Sequence, residues 1–292
     1  MTSENPCRRL TGIEVTNAMK AELSARAAEL SAALGRRPKL AVVRVGERPD
    51  DIAYERGAVK RCEGFGLACT VYAFPETVTN EVFMEGFRAV NGDPEIDGVL
   101  VFRPLPEQIN EAAVKAAIDP VKDVDCMSSV NLAKLLSGET SGHAPCTPAA
   151  VVALLKRYEV PLAGSRVTIV GRSLVVGKPL ALLLLAEHAT VTVCHTRTRE
   201  LAEECRRADI LIAAAGKAKM LGEAHVRPGA VVVDVGINVG ADGRLCGDVD
   251  FESASRAAAA ITPVPGGVGG VTSAILARNT IDACAARADA GR

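Results

Sequence analysis

The chain carries no excess of charge of either sign: over 292 residues the formal net charge is -1. A surface for nucleic acid or an anionic membrane needs basic side chains concentrated on one face, so this balance argues against both partners. Long hydrophobic runs are missing too. The longest aliphatic stretch, around Leu180 to Ala186, falls far short of the roughly 20 residues that span a bilayer. Met1 to Arg9 is polar, with both charge signs and no apolar core of the signal-peptide kind. The expectation is a soluble, cytoplasmic protein. Paired thiols are absent as well. Nine cysteines, an odd number, are scattered through strand-like and helix-like segments with no Cys-x-x-Cys, which reads as reduced thiols buried as small apolar residues. The four histidines, His143, His188, His195 and His225, form no short-spaced ligand pattern with one another or with the cysteines, so no metal site is expected.

What is present is enough apolar sequence, 48% of the chain, to fill the cores of two ordinary domains or one large one. Strand-like runs alternate with helix-like segments, the pattern of a parallel α/β sheet. Leu40 to Val45, Cys69 to Phe74 and Gly98 to Phe102 read as strands, with helices at Tyr54 to Phe65 and Asn80 to Val90. A second series follows Pro145-Cys-Thr-Pro148. Its helices are Ala149 to Arg157, Lys178 to Glu187 and Arg199 to Arg206, and its strands Arg166 to Val170, Thr190 to Cys194, Ile210 to Ala214 and Ala230 to Val235. The prolines mark the expected hinge, giving a first domain over 1–148 and a second over 149–270. A last segment from Val271, amphipathic to about Ala286, crosses back to complete the first.

Three segments carry chemistry. Arg166-Val-Thr-Ile-Val170-Gly171-Arg172-Ser173-Leu-Val-Val-Gly177-Lys-Pro179 is a strand, a glycine turn and a helix with proline in its first turn, a geometry that offers free N–H groups and a positive helix end to a phosphate. It is not the common G-x-G-x-x-G. At the tip of the next strand an acid would favour a free ribose 2′-hydroxyl; Cys194-His195-Thr196-Arg197-Thr198 has none, which favours NADP over NAD. The other two segments are Lys122-Asp123-Val124-Asp125 and the proline/glycine loop Pro263 to Gly270, whose composition commits backbone to close approach to something.

Taken in order, these strings resemble the methylenetetrahydrofolate dehydrogenase/methenyltetrahydrofolate cyclohydrolase family from Leu10 to Thr280. The matching segments include Val45-Gly46-Glu47 with Tyr54, Asp97-Gly98 with Pro104-Leu-Pro106, Lys122 to Asp125, Pro145 to Pro148, Gly171 to Pro179, Asp234-Val-Gly-Ile-Asn238, Gly247-Asp248-Val249 and Thr262 to Gly269. The resemblance implies an N-terminal α/β folate-binding domain, a C-terminal Rossmann-like dinucleotide-binding domain and a cleft between them. It further implies that Tyr54 and Asp125 serve the folate, and that the loop of Pro265, Gly266 and Gly267, running to Gly269, borders both folate and cofactor. The cofactor positions it implies are Gly171, Arg172, Ser173, Gly177, Pro179, His195, Thr196, Gly216, Gly236 and Ile237. A homodimer is implied as well.

Several positions depart from the family pattern. Its Tyr-x-x-x-Lys reads Tyr54-Glu-Arg-Gly-Ala58, and Phe102 stands for the usual Gln, followed by Arg103 for Leu. Asp51 replaces a serine, Cys126 a glycine, and Gly270-Val271 a Pro-Met pair. Positions i and i+4 share a helix face, so a lysine at 58 would sit one turn from the Tyr54 hydroxyl; Lys60 points away and Arg56 is too basic to act as a base. Loss of hydride from the carbon between N5 and N10 is driven by the substrate's own nitrogen lone pairs and needs positioning. Hydrolysis of the methenyl product needs a group that exchanges protons near neutrality. The expectation is therefore an NADP-dependent dehydrogenase acting on tetrahydrofolate one-carbon derivatives, with cyclohydrolase activity weak or lost and a separate cyclohydrolase working alongside. Two alternatives stand beside it: a fully bifunctional enzyme recruiting Arg103, Asp51 or Cys126, and a non-catalytic folate- or dinucleotide-binding subunit.

Overall fold

The structure is a computed structural model that describes residues 7–240 and 243–290. In chain order its elements are β1 (Arg8–Arg9), α1 (Gly12–Leu34), β2 (Lys39–Val45), α2 (Pro49–Gly64), β3 (Ala68–Phe74), α3 (Asn80–Gly92), β4 (Gly98–Val101), α4 (Glu111–Ala117), α5 (Ser129–Ser137) and α6 (Cys146–Arg157). There follow β5 (Arg166–Val170), α7 (Gly177–Ala186), β6 (Thr190–Cys194), α8 (Leu201–Arg206), β7 (Ile210–Ala213), β8 (Val231–Asp234), β9 (Asn238–Val239), β10 (Leu245–Cys246), α9 (Phe251–Ala254), β11 (Ala260–Ile261) and α10 (Val268–Ala290). They form two compact units, one of Ala18–Cys146 with Ser273–Arg292, the other of Met1–Asn17 with Thr147–Thr272. Among the described residues no helix is long and apolar enough to cross a membrane.

The first unit is built on a three-stranded parallel sheet, β3-β2-β4. The run Leu40-Ala-Val-Val43 is buried on both faces, as a central parallel strand requires. Arg44 interrupts it and is itself buried, its Nε donating to the Glu55 carboxylate of α2 at 2.7 Å. Thr79 caps α3 by accepting from the Val82 amide, and the helix buries Phe83, Met84, Phe87 and Val90 on one face. Phe83 stacks on Phe87 and meets Phe74 edge-on, and the cluster closes over Val43, Ile96 and Val99. Helix α2 begins at Pro49, five residues before the start read from its apolar pattern, because proline at the first turn opens a helix without needing an apolar residue there.

The second unit holds a six-stranded parallel sheet in the order β1-β11-β8-β7-β5-β6. From β5 the chain crosses through α7 to β6 on one side and returns to β7 on the other. The order in which strands are added therefore reverses at β5, the kind of place where open α/β sheets bind ligands beyond their carboxyl ends.

Two boundaries differ from the sequence reading. Helix α10 starts at Val268 and so takes in Gly269 and Gly270, the last residues of the expected loop. Residues 7–17 belong to the second unit and not to the first. Arg8 and Arg9 pair with Ala260 and Ile261, and the Leu10 amide donates to the Ile261 carbonyl at 2.9 Å. A strand of two residues has no alternation to read, so only the fold exposes it. The docking is reinforced by buried Tyr158, whose hydroxyl accepts from the Thr11 amide at 2.8 Å and donates to the Thr11 carbonyl at 3.0 Å. Tyr158→Phe leaves both Thr11 groups unpaired, and it is expected to lower stability by about 1–3 kcal/mol. A urea titration would register it as a lower midpoint at unchanged slope, and an unchanged midpoint would show that water takes over both bonds.

Candidate functional site

In the second unit the implied cofactor residues follow the carboxyl ends of five neighbouring strands. Gly171 follows β5, His195 and Thr196 follow β6, Gly216 follows β7, Gly236 and Ile237 follow β8, and Pro265 to Gly267 follow β11. The sheet thus gathers into one row positions spread over about a hundred residues of sequence. Gly171 has φ 138°, and a Cβ there would run into the Ala214 carbonyl beyond β7. Its amide donates to the Cys194 carbonyl at 2.9 Å, tying the turn to β6 as well. Gly177 opens α7 against the Gly171 carbonyl, with Pro179 buried in the first turn. Arg172 and Ser173 are exposed, though the Ser173 hydroxyl accepts from the Val176 amide at 3.1 Å and so also shapes the turn. At the β6 tip, Thr198 accepts from the His195 amide and the His195 ring from the Arg197 amide, leaving Thr196 exposed.

Sequence reasoning quoted Asp234 and Asp248 as motif letters without giving them work. Both are buried, and they hold the loops of this row. Asp234 accepts from the amides of Gly236, Asp248 and Val249 at 2.9–3.0 Å. Asp248 accepts from the amides of Ala215, Gly216 and Lys217 and from the Asn238 side chain at 2.6–2.9 Å. Gly236 lies so close that a Cβ would meet the Asp248 carboxylate. Burial pushes the Asp234 carboxyl up to about 6, against the pull of its three amide donors.

Of the implied folate residues, Tyr54 and Asp125 lie in the first unit. Tyr54 and Ala58 share a face of α2; Tyr54 is 37% exposed and Ala58 fully covered. Lys60 is exposed and cannot stand in for an amine at 58. Phe102 leaves the end of β4 and is buried, its ring 5.5 Å from the Tyr54 ring at 58°. Desolvation around the Tyr54 hydroxyl, with Cys146 and Asp125 nearby, holds the phenol above its ordinary value. Asp125 accepts from the Cys146 amide at 2.8 Å through one oxygen, and Arg103 reaches the other at 3.4 Å. Burial raises the Asp125 carboxyl, opposed by the Cys146 amide and by Arg103. The neighbouring Lys122 and Asp123 turn inward: Lys122 donates to the carbonyls of Asn91 and Asp93, and Asp123 accepts from the amides of Met127 and Ser128 and from the Asn131 side chain. Of the three charged residues in that motif only Asp125 is partly exposed, and the Arg103 contact on it was not foreseen. Cys126 sits at φ 54°, the left-handed region that explains a glycine in the family pattern.

Residues 10–125 match the tetrahydrofolate dehydrogenase/cyclohydrolase catalytic domain, and residues 145–288 match the NAD(P)-binding domain of the same family. The chain belongs to the tetrahydrofolate dehydrogenase/cyclohydrolase family. It is 54% identical, over 85% of its length and 87% of the relative's, to the bifunctional protein FolD of Alkaliphilus oremlandii. Among solved structures it is similar to the bifunctional FolD of Campylobacter jejuni, with a TM-score of 0.93 and 39% identity over 96% of this chain and 99% of that one. It also resembles the FolD of Trypanosoma brucei, solved with NADP cofactor and an inhibitor, with a TM-score of 0.91 and 35% identity over 97% and 99% of the two chains.

For a member of this enzyme family the loop row is the part that burial makes fragile. Asp248→Asn keeps the size but turns an amide group toward N–H donors, leaving at least one of them unpaired. The expected loss is about 2–4 kcal/mol, a charged hydrogen bond together with a desolvated donor. Thermal unfolding would show it as a lower transition temperature, whereas wild-type stability would mean that the loops can close around an amide.

Proposed function

We propose that the protein is an NADP-dependent 5,10-methylenetetrahydrofolate dehydrogenase whose cyclohydrolase activity is weak or lost. The observation that carries the distinction is Ala58, a fully covered methyl group one helical turn from Tyr54, whose ring meets that of Phe102. In this reading the unit Ala18–Cys146 with Ser273–Arg292 binds folate and the other unit binds the cofactor. NADP is supported by the Trypanosoma brucei relative solved with it and by a β6 tip without a carboxylate. The bare backbone at Gly171, which excludes a Cβ, suits close approach of a pyrophosphate.

The cofactor, when bound, supplies the acceptor for a hydride. The chain's own residues then have a positioning task. Gly171 and Gly177 leave the turn before α7 open to phosphate, while Arg172 and Thr196 offer a guanidinium and a hydroxyl to a 2′-phosphate. Tyr54 and Phe102 form an aromatic wall, and Asp125 takes the donors of a pterin edge. No protein base is required for hydride loss. Hydrolysis does require one, and acid–base groups typically contribute about 10²–10⁴-fold. Arg103 is too basic and already lies on Asp125. Asp51 pairs with Arg48 at 2.7 Å, and burial pushes the Cys126 thiol up to about 12.

A second reading, full bifunctionality, is favoured by the names of relatives about half identical to this chain, which are bifunctional FolD proteins. Assembly as a cytoplasmic homodimer, with a separate cyclohydrolase to take up the methenyl product, completes the proposal.

Supplied with methylenetetrahydrofolate and NADP, the purified protein should accumulate the methenyl compound, which then decays no faster than in buffer alone. Rapid enzyme-dependent decay would establish the bifunctional reading instead. Ala58→Lys forces a long side chain into a filled position at a cost of about 1–3 kcal/mol. Together with Phe102→Gln, which supplies a polar partner, it should raise hydrolysis well above either single change; no gain from the pair would show that the missing amine is not what limits hydrolysis. For the cofactor, catalytic efficiency should favour NADP over NAD by about tenfold or more, roughly 1.4 kcal/mol. Arg172→Ala should raise the KM for NADP far more than that for NAD, and equal use of both by the unaltered protein would contradict the assignment.

A further inference from the structure

Two guanidinium–carboxylate pairs of the first unit are closed. Arg36 grips both oxygens of Asp97, at 2.6 and 3.0 Å, and Arg44 meets Glu55 at 2.7 Å, with both acids buried. Arg103 and Asp125 form an open pair. One nitrogen, Nη2, donates to one oxygen, Oδ2, and at 3.4 Å the bond is well beyond the roughly 2.7–2.9 Å of a charge-assisted contact. Both side chains keep an exposed part, 17% for Arg103 and 24% for Asp125. Among the described residues the guanidinium has no other hydrogen-bond partner, so most of its N–H donors are unused. Behind the acid the backbone is anchored. Asp125 Oδ1 accepts from the Cys146 amide at 2.8 Å, the Val124 carbonyl accepts from the Asn279 side chain at 2.9 Å, and Asp123 accepts from the Met127 and Ser128 amides. Arg103 is anchored as well, since the amide of Phe102 before it donates to the Val43 carbonyl of β2 at 2.9 Å. Two fixed stretches of backbone thus set an acceptor and a donor side by side at partly exposed positions.

We propose that Arg103 is a specificity-determining residue for the folate, donating to the C4 carbonyl of the pterin ring while Asp125 accepts from the N3–H and the C2 amino group. The inference rests on the reading of Asp125 as the pterin acceptor. That edge of a pterin presents two donors followed by an acceptor, and the open pair presents the complementary acceptor and donor. Leucine, the family residue at 103, has no donor to offer. A guanidinium suits the task better than an ammonium, because its planar fork holds Asp125 with one N–H and the carbonyl with another. Arg103 therefore shares the acid with the ligand and need not leave it. A ring with an amino group at C4 would turn a donor toward donors, so the pair also selects against that analogue.

The test uses full-length protein with NADP present and two ligands that differ only in the group at C4, tetrahydrofolate and its 4-amino-4-deoxy analogue, titrated calorimetrically without oxygen. Arg103→Leu should weaken tetrahydrofolate about tenfold or more, the equivalent of one charge-assisted hydrogen bond, and leave the 4-amino analogue bound as tightly or more tightly. Arg103→Lys keeps the charge without the fork and should fall between. Equal weakening of both ligands would overturn the inference by giving Arg103 a merely structural role. So would tighter binding of tetrahydrofolate by Arg103→Leu, the mark of a guanidinium that only competes for Asp125. If the leucine variant does not fold, the lysine variant decides: it must lower the ratio of the two affinities, and an unchanged ratio overturns the inference. Failure of the unaltered protein to bind tetrahydrofolate would remove the folate reading itself and this inference with it, whereas binding with a ratio that the variants leave unchanged removes only the role of Arg103.

Discussion

A buried N–H must find an acceptor, and in this chain buried aspartates meet that demand wherever loops turn inward. Asp234 and Asp248 do so beyond β7 and β8, and Asp123 at the turn before α5. Asp97 does so beside β4, where it takes the Lys39 amide together with Arg36 and Arg287. A carboxylate suits this work because its two oxygens accept several bonds and donate none, so one side chain can fix backbone from different loops. The open loop row of the six-stranded sheet is shaped this way. Its turns carry glycine backbone at the carboxyl ends of the strands, and they are held there by buried acids.

The same logic separates the acids that are spent from the one that is not. Asp97, Asp123, Asp234 and Asp248 are each nearly or fully buried and surrounded by donors. Asp125 has one backbone donor, one distant guanidinium and a quarter of its side chain exposed. Acceptor capacity is left over there. The Arg103 contact makes that capacity conditional: a ligand with its own donors must share Asp125 with the guanidinium or displace it.

The parallel sheets and the strand–glycine–helix turn were legible because their signals are local. A buried central strand such as Leu40 to Val43 is a continuous apolar run, and the Gly171 turn follows directly on one. The work of Asp234 and Asp248 was not legible, since their partners lie elsewhere in the chain and no periodicity marks a carboxylate as an acceptor for distant amides. For the same reason β1 could not be read: two arginines carry no strand pattern, and their pairing with Ala260 and Ile261 spans some 250 residues. At the residues implied for folate the departures from the family pattern could be read, while their surroundings could not. Arg44 with Glu55, and Arg103 with Asp125, become pairs only when β2 meets α2 and the end of β4 meets the loop before α5.

Those pairs bear on what Ala58 means for the proposed loss of hydrolysis. If only the lysine had gone, a vacant space beside Tyr54 would remain, and a new amine would enter it. Instead Ala58 is completely covered, Phe102 brings a ring where an amide would serve an amine, and Glu55, three residues before Ala58 on α2, is engaged with buried Arg44. An amine placed at 58 would lie within one turn of that carboxylate. Attraction to Glu55 would hold it protonated, while repulsion from Arg44 would act the other way, and a hydrolytic base needs the second effect to win. Breaking the buried pair to tilt that balance would leave an uncompensated charge at a cost of about 3–5 kcal/mol. An amine introduced at 58 would therefore meet a fully covered position as well as the charges of Glu55 and Arg44, which is why the proposed loss of hydrolysis would not be reversed by that one group alone.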